Sequence, residues 1–258
     1  TGKGRLMTPK EFNEIVVRRD ANGGIVRLEG ASGGSAFTNC LFAGHASFWG
    51  GAYTVQSICG AVAVNLTDVD DTVDFDHCTF AYNLNGSCHY YSAGGNNQWA
   101  NYSTAAGLHV HSGAVKVRNS IFWGNTGGAD ETPLDIKADA AATFENNLID
   151  YPVSGYADNT IGDPLFRDAA NGDYHVKGGT SAAVGIGVPL ASCTVDMDGV
   201  ARGSETTTAG CYEFDPSSVP FDVDVRFGET VVGFGTPVTV QVSVEGGTVD
   251  DCDYAWDL

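Results

Sequence analysis

One nine-residue pattern occurs four times in this chain, and that recurrence limits the fold more than any other feature. Phe37-Thr-Asn-Cys-Leu-Phe-Ala-Gly-His45, Phe75-Asp-His-Cys-Thr-Phe-Ala-Tyr-Asn83, Val117-Arg-Asn-Ser-Ile-Phe-Trp-Gly-Asn125 and Phe144-Glu-Asn-Asn-Leu-Ile-Asp-Tyr-Pro152 align without gaps. Their starts are 38, 42 and 27 residues apart. Recurrence on this scale marks a structural unit that buries its apolar face only by stacking on the next copy. Each copy follows a Gly-rich turn and another short apolar run: Gly24–Leu28, Gly50–Val55, Ala106–His111 and Pro133–Lys137. Unequal spacing suits such a stack, because insertions leave at the turns while the strands stay in register.

Composition agrees. Gly supplies 34 of 258 residues and Pro only 8. That balance suits frequent turns between short strands, in sheets that must keep their ladder donors. With 43% hydrophobic residues the chain can build a core and is not a disordered acidic tail.

These residues resemble the repeats of right-handed parallel β-helix proteins of the pectin-lyase-like type. In particular they resemble the Asn-Cys-x-Phe-x-x-Asn repeats of polymorphic, adhesin-like surface proteins. Gly162-Asp-Pro-Leu-Phe166, Asn171-Gly-Asp-Tyr174, Asp196-Met-Asp-Gly199 and Gly210-Cys-Tyr-Glu213 are similar to the terminal motif after such helices in large secreted bacterial proteins. Here Thr180-Ser-Ala-Ala183 stands for the usual Ser-Pro-Ala-Ile, and Cys211 for an Ala. The resemblance implies an all-β fold, a right-handed parallel β-helix (solenoid) over residues 24–215. It leaves activity open, since that fold hosts lyases, hydrolases and adhesins alike.

Residues 1–23 read as an N-terminal cap. Thr8-Pro-Lys-Glu11 is a capping box with Pro at the first helical position. Phe12, Ile15, Val16 and Val17 follow as an apolar stripe, so a short helix is expected to cover the open sheet edges. From residue 219 the texture changes. Val223, Val225 and Phe227 alternate with polar residues, as do Val238, Val240, Val242 and Val244, the period of half-buried antiparallel strands. With Tyr254-Ala-Trp-Asp257 this looks like the first half of an Ig-like β-sandwich of the PKD type, incomplete at 219–258. The chain reads as a piece cut from a larger surface protein.

Asp and Glu total 32 against 13 Lys and Arg, a formal charge of −19. A surface this acidic repels phosphate backbones and anionic membranes. No apolar run approaches a membrane span, so neither nucleic acid binding nor direct membrane insertion is expected. Seven cysteines form no CxxC pair, which argues against zinc-finger or thioredoxin-like chemistry. With the sequons at Asn65, Asn85 and Asn101 they favour an oxidising, extracellular location and a glycoprotein. Cys193–Cys211 and Cys59–Cys88 are the expected disulfides, while Cys252 would have its partner beyond the cut.

Several constellations could carry function. Stacking the aligned repeats puts Cys40, Cys78, Ser120 and Asn147 in one ladder. It puts His45, Asn83 and Asn125 in another at a turn, where stacked Asn side chains hydrogen-bond and tolerate left-handed backbone. The same alignment sets Asp74 beside Lys116, and Arg118 between Asp76 and Glu145, facing outward. That is either a polysaccharide-lyase-like catalytic face or a cross-strand charge ladder, and the acidity argues for the ladder. His109 and His111 share one strand face. With His89 or a nearby Asp they could hold a metal, the alternative being a solvated pair. Asp68, Asp70 and Asp71, and Asp196 and Asp198, place carboxylates in tight loops that suit a structural Ca²⁺ or are simply solvated. No other cofactor is implied. Tyr90, Tyr91, Trp99 and Tyr102 lie in an Asn/Ser/Gly-rich insertion, where they either stack on sugar faces or pin the loop to the flank.

The sequence therefore points to an extracellular structural or adhesive surface protein, a rigid β-helical module contacting glycans or copies of itself. A carbohydrate-active lyase or hydrolase on the side face is the alternative.

Overall fold

The computed structural model describes residues 26–29, 34–47, 61–66, 71–85, 88–93, 96–101, 105–127, 132–133, 135–152, 158–218, 222–227 and 240–245. The expected helix at 8–17, the run Gly50–Val55 and Tyr254–Asp257 lie outside them.

Strands recur in a fixed order. The first repeat contains β1 (Val26–Glu29), β2 (Ser35–Thr38), β3 (Leu41–Ala43) and β4 (Ala46–Ser47). The second contains β5 (Val62–Asn65), β6 (Thr72–Asp76), β7 (Thr79–Ala81) and β8 (Leu84–Asn85), followed by an inserted hairpin, β9 (Cys88–Ala93) and β10 (Asn96–Asn101). The third contains β11 (Leu108–Ser112), β12 (Ala114–Arg118), β13 (Ile121–Trp123) and β14 (Thr126–Gly127), with β15 (Thr132–Pro133) turned back on β14. The fourth contains β16 (Ile136–Ala138), β17 (Ala142–Glu145) and β18 (Leu148–Ile149), and β19 (Thr160–Ile161) adds one further strand. Apart from β15 and the inserted hairpin β9–β10, each of these strands pairs in parallel with its counterpart one repeat on. This builds the sheets β1-β5-β11-β16, β2-β6-β12-β17, β3-β7-β13-β18-β19 and β4-β8-β14. The described part of the chain is thus all-β, with short 3₁₀ turns at Ala169–Asn171 and Pro216–Ser218.

The register is that of the aligned pattern. Phe37 lies opposite Phe75, Phe75 opposite Val117, and Val117 opposite Phe144. Among the described residues the strand preceding the second copy is β5, Val62–Asn65, a run the repeat alignment did not single out, which pairs with β1 and β11. Ala61-Val-Ala-Val-Asn65 alternates small and branched residues, so Val62 and Val64 point into the core cluster while Ala63, equally buried, lies on the other face of the strand.

The core is one continuous cluster running through the repeats, including Val64, Val73, Phe75, Phe80, Val110, Val117 and Phe122. Each such side chain contributes about 1.5–3 kcal/mol by leaving water. Phe42, Phe80 and Phe122 stack, with centroids 4.8 and 4.5 Å apart, and Phe37 stacks on Phe75 at 5.0 Å. These separations match the spacing of neighbouring strands, so one ring per repeat continues the stack.

Two corners carry buried polar ladders. At the first, the backbone N–H of Cys78 donates to Ser120 Oγ (3.0 Å), that of Ser120 to Asn147 Oδ1 (2.7 Å), and that of Asn147 to Asn159 Oδ1 (3.0 Å). At the second, the N–H of His45 donates to Asn83 Oδ1 (3.0 Å) and that of Asn83 to Asn125 Oδ1 (3.2 Å). Asn125 in turn donates to Phe80 O and Asp135 Oδ1. Each side chain thereby satisfies a backbone group that the turn removes from the sheet. The left-handed backbone falls one position earlier than expected. It belongs to Asn39, His77, Asn119 and Asn146 (φ 51–55°) and to Gly44, Tyr82 and Gly124 (φ 52–67°). Gly124 has a second reason to be glycine, because a Cβ there would lie 2.8 Å from the Tyr82 ring.

Replacing Asn125 with Leu should cost about 1–3 kcal/mol, the penalty of leaving buried donors and acceptors unmade. Urea unfolding measures it, and an unchanged midpoint would make the ladder energetically passive.

The terminal segment docks on this stack. β20 (Phe166–Asp168) and β21 (Asp173–Val176) form an antiparallel pair. A second apolar cluster, Ile121, Leu148, Val176, Ala183 and Ala209, joins the segment to the outer side of β13 and β18. Asn119 exchanges two hydrogen bonds with Val188, of 2.8 and 3.0 Å, and the N–H of Cys211 donates to Thr79 Oγ1 at 3.0 Å. Beyond it, β22 (Asp222–Phe227) and β23 (Val240–Glu245) pair antiparallel, Val223 opposite Val244 and Val225 opposite Val242.

Candidate functional site

Pleating decides which side chains reach the surface. In β6 and β12, Val73, Phe75, Val115 and Val117 turn inward, so Thr72, Asp74 and Asp76, with Lys116 and Arg118, turn outward. Parallel register sets Asp74 beside Lys116 and Arg118 between Asp76 and Glu145. A shallow groove of about 370 Å³ crosses this face, lined by Thr72, Asp74, Ala114, Lys116, Ala142 and Thr143, with Val115 and Ala141.

The charges on this face largely answer one another. Arg118 grips Asp76 with two hydrogen bonds of 2.7 Å, from Nε and Nη2. Its Nη2 also lies 4.0 Å from Asp74, while Lys116 Nζ is 3.7 Å from Glu145. The Asp76 carboxylate beside it raises the Arg118 guanidinium further above its already high value. Asp76 is 3% exposed, so Arg118 covers it. Of the three alternative catalytic residues, Asp76 and Arg118 are tied to each other and Glu145 pairs with Lys116. An arginine held bidentate on a buried carboxylate is poorly placed to take a proton from a substrate.

The other candidates separate. Tyr90, Tyr91 and Trp99 lie on the β9–β10 hairpin, with Trp99 opposite Tyr90, and Tyr102 lies outside the described residues. Asn65 is exposed at the end of β5 and accepts a hydrogen bond from Ser112 Oγ. Asn85 is fully buried and donates to Ala105 O at 2.7 Å, which leaves no room for a glycan in the folded chain. Asn101 ends β10.

The Cys193–Cys211 bond is a correction, because both are free thiols. Cys193 donates to Asn39 Oδ1 at 3.2 Å, and burial pushes the Cys211 thiol up to about 12. Each fills its own niche against the stacked repeats. Cys59 lies outside the described residues and Cys88 begins β9. The first ladder adds two more thiols on successive repeats. The Cys78 thiol beside Cys40 lowers Cys40 to about 7, and burial raises Cys78.

Asp68 and Asp70 lie outside the described residues, and Asp71 is partly buried at the entrance to β6. Asp196 is a turn brace. Its carboxylate accepts the N–H groups of Asp198 (2.9 Å), Val200 (2.8 Å) and Glu213 (2.8 Å). Asp198 is taken up by His175, whose Nε2 is 2.9 Å from its Oδ2.

For His109 and His111 the structure supplies the third residue. It is Asp139, just past β16 in the following repeat, with Oδ2 3.0 Å from His109 Nε2 and 3.8 Å from His111 Nδ1. Among the described residues no helix is long and apolar enough to cross a membrane. No protein-family model, curated protein or solved structure matches the chain.

Proposed function

We propose that this chain is an extracellular structural or adhesive module of a larger surface protein. In this reading it is a right-handed parallel β-helix closed by its terminal motif and followed by the start of a PKD/Ig-like module. The exposed side face or inserted hairpin contacts glycans or neighbouring copies. The observation that carries the reading is the saturation of the β6–β12–β17 face. Its buried carboxylate and its arginine hold each other, so the face offers a rigid polar surface in place of an activated base. Parallel sheets joined by corner ladders support a spacer role, because rigidity then comes from within each repeat contact. The groove across Thr72, Asp74, Lys116 and Thr143 offers hydroxyl, carboxylate and ammonium groups suited to sugar hydroxyls.

Incubation with a panel of neutral and acidic polysaccharides tests this, following retention on immobilised polymer together with unsaturated products and new reducing ends. Binding without turnover, weakened about 10–100-fold by Lys116→Ala through loss of one charge-assisted hydrogen bond, is the expected outcome. Cleavage abolished by Arg118→Ala would replace the reading with the enzyme alternative. That alternative rests on the clustering of Asp76, Arg118 and Glu145.

A further inference from the structure

We propose that His109, His111 and Asp139 form a binding site for a divalent transition-metal ion of the zinc class, on the outer face of the stacked repeats. The donors come from two neighbouring strands whose register is set by the sheet. His109 lies opposite Lys137 in the β11–β16 pair. One step further, the N–H of Asp139 donates to Val110 O at 2.7 Å, which brings its carboxylate alongside His111. Alternation within β11 sends Leu108 and Val110 into the core, so both imidazoles project from the opposite face. Their rings lie side by side, with centroids 3.7 Å apart and planes 37° from parallel.

The distances suit one ion. Metal–ligand bonds of about 2.0–2.1 Å in a tetrahedron place donor atoms about 3.3 Å apart. Here Asp139 Oδ2 lies 3.0 and 3.8 Å from the two imidazoles, and all three donor atoms lie within 4.8 Å of one another. His109 is fully buried and forms the back of the site, while the His111 and Asp139 side chains are 24% and 42% exposed and form its mouth. The fourth position would face water. Lys137 Nζ, 3.4 Å from Asp139 Oδ1, engages the other carboxylate oxygen, so Oδ2 is the one turned to the imidazoles. Two imidazoles and one carboxylate select Zn²⁺, Cu²⁺ or Ni²⁺ over Ca²⁺ and Mg²⁺. His175 contrasts with this arrangement, because its carboxylates sit on opposite ring nitrogens, Asp173 at Nδ1 (2.6 Å) and Asp198 at Nε2 (2.9 Å). A bound ion at His109, His111 and Asp139 would tie the third repeat to the fourth.

The test is calorimetric titration of the chelator-treated full chain with Zn²⁺, with Co²⁺ absorption spectra and thermal unfolding in parallel. One ion per chain is expected, with tetrahedral Co²⁺ bands and a melting temperature that rises with Zn²⁺. His111→Gln and Asp139→Asn, both at the open mouth, should each weaken binding at least as much as losing an outer partner does, about 10–100-fold, and remove the thermal shift. No binding at millimolar Zn²⁺, or affinity unchanged in both variants, overturns the proposal. So does a thiolate-to-cobalt charge-transfer band, which would place the ion on cysteine thiolates and not on His109, His111 and Asp139.

Discussion

Replacing Arg202 with Met is expected to lower the unfolding free energy by about 3–5 kcal/mol, the cost of orphaning one member of a buried ion pair. Arg202 is where the terminal segment is fastened to the stack. Its guanidinium donates from Nη1 to Glu213 Oε2 (3.1 Å) and Thr208 O (3.2 Å). From Nη2 it donates to Asn39 Oδ1 (2.6 Å) and Gly210 O (3.0 Å). The Arg202 and Glu213 side chains are 2% and 12% exposed, so water cannot replace what the substitution removes. Glu213 also receives the N–H and the hydroxyl of Thr208, and burial raises its carboxyl above the ordinary range. The single substitution leaves that carboxyl and the Asn39 amide short of partners. Urea unfolding followed by tryptophan fluorescence gives the magnitude, and Arg202→Met combined with Glu213→Gln should recover part of the loss. A loss below 1 kcal/mol in the single variant would mean that the apolar contacts of Ile121, Leu148 and Val176 hold the segment unaided.

How much of this could be read in advance follows from range. Inside a repeat and between successive repeats, position in the sequence determines position in space. Aligning Phe37, Phe75, Val117 and Phe144 was therefore enough to place Lys116 by Asp74 and Arg118 by Asp76. The two corner ladders followed from the same step. The left-handed residue did not, because Asn83 and Asn125 face inward as acceptors and the chain reverses at the residue before each. Val62–Asn65 was missed because Gly50–Val55 lies in a similar Gly-rich context, and nothing local tells one apolar run from the other. Contacts that leave the repeat were hidden for a different reason. Asn39 meets Arg202 and Cys193 across more than 150 residues, and no periodicity links them. Cys193 and Cys211 are close in sequence, yet each packs against a different part of the stack, Asn39 for one and Thr79 for the other. Asp139 lies between these cases. It is one repeat from His111, but the repeat spacing shortens there, so the alignment could not single out the third donor.

His77 offers the second large effect, visible only as a function of pH. Its ring is fully buried, and Asn119 Nδ2 lies 2.9 Å from its Nε2. The Asn119 amide is oriented by Val188, since Oδ1 accepts the Val188 N–H and Nδ2 donates to the Val188 carbonyl. An amide nitrogen can only donate, so Nε2 must accept and the folded state needs the neutral ring. Burial, then the positive charge of Arg202 and that of Arg118, lower His77 to about 3. Unfolded, it titrates near the ordinary histidine value of about 6.5. As pH falls below about 6.5 the unfolded chain binds a proton that the folded chain refuses, so stability declines from there down to about pH 3. The slope is at most about 1.4 kcal/mol per pH unit from this group, and the full window is worth about 4–5 kcal/mol. Above pH 6.5 the effect is absent. His77→Asn removes the titration and installs the residue that Asn39, Asn119 and Asn146 already provide at this left-handed corner. Carboxylates act on both proteins alike, so the difference between their unfolding free energies isolates His77. It should shift by about 2–3 kcal/mol in favour of His77→Asn between pH 6.5 and 4.5. Parallel stability curves for the two proteins would show that the folded chain accommodates the imidazolium, which the Asn119 geometry forbids.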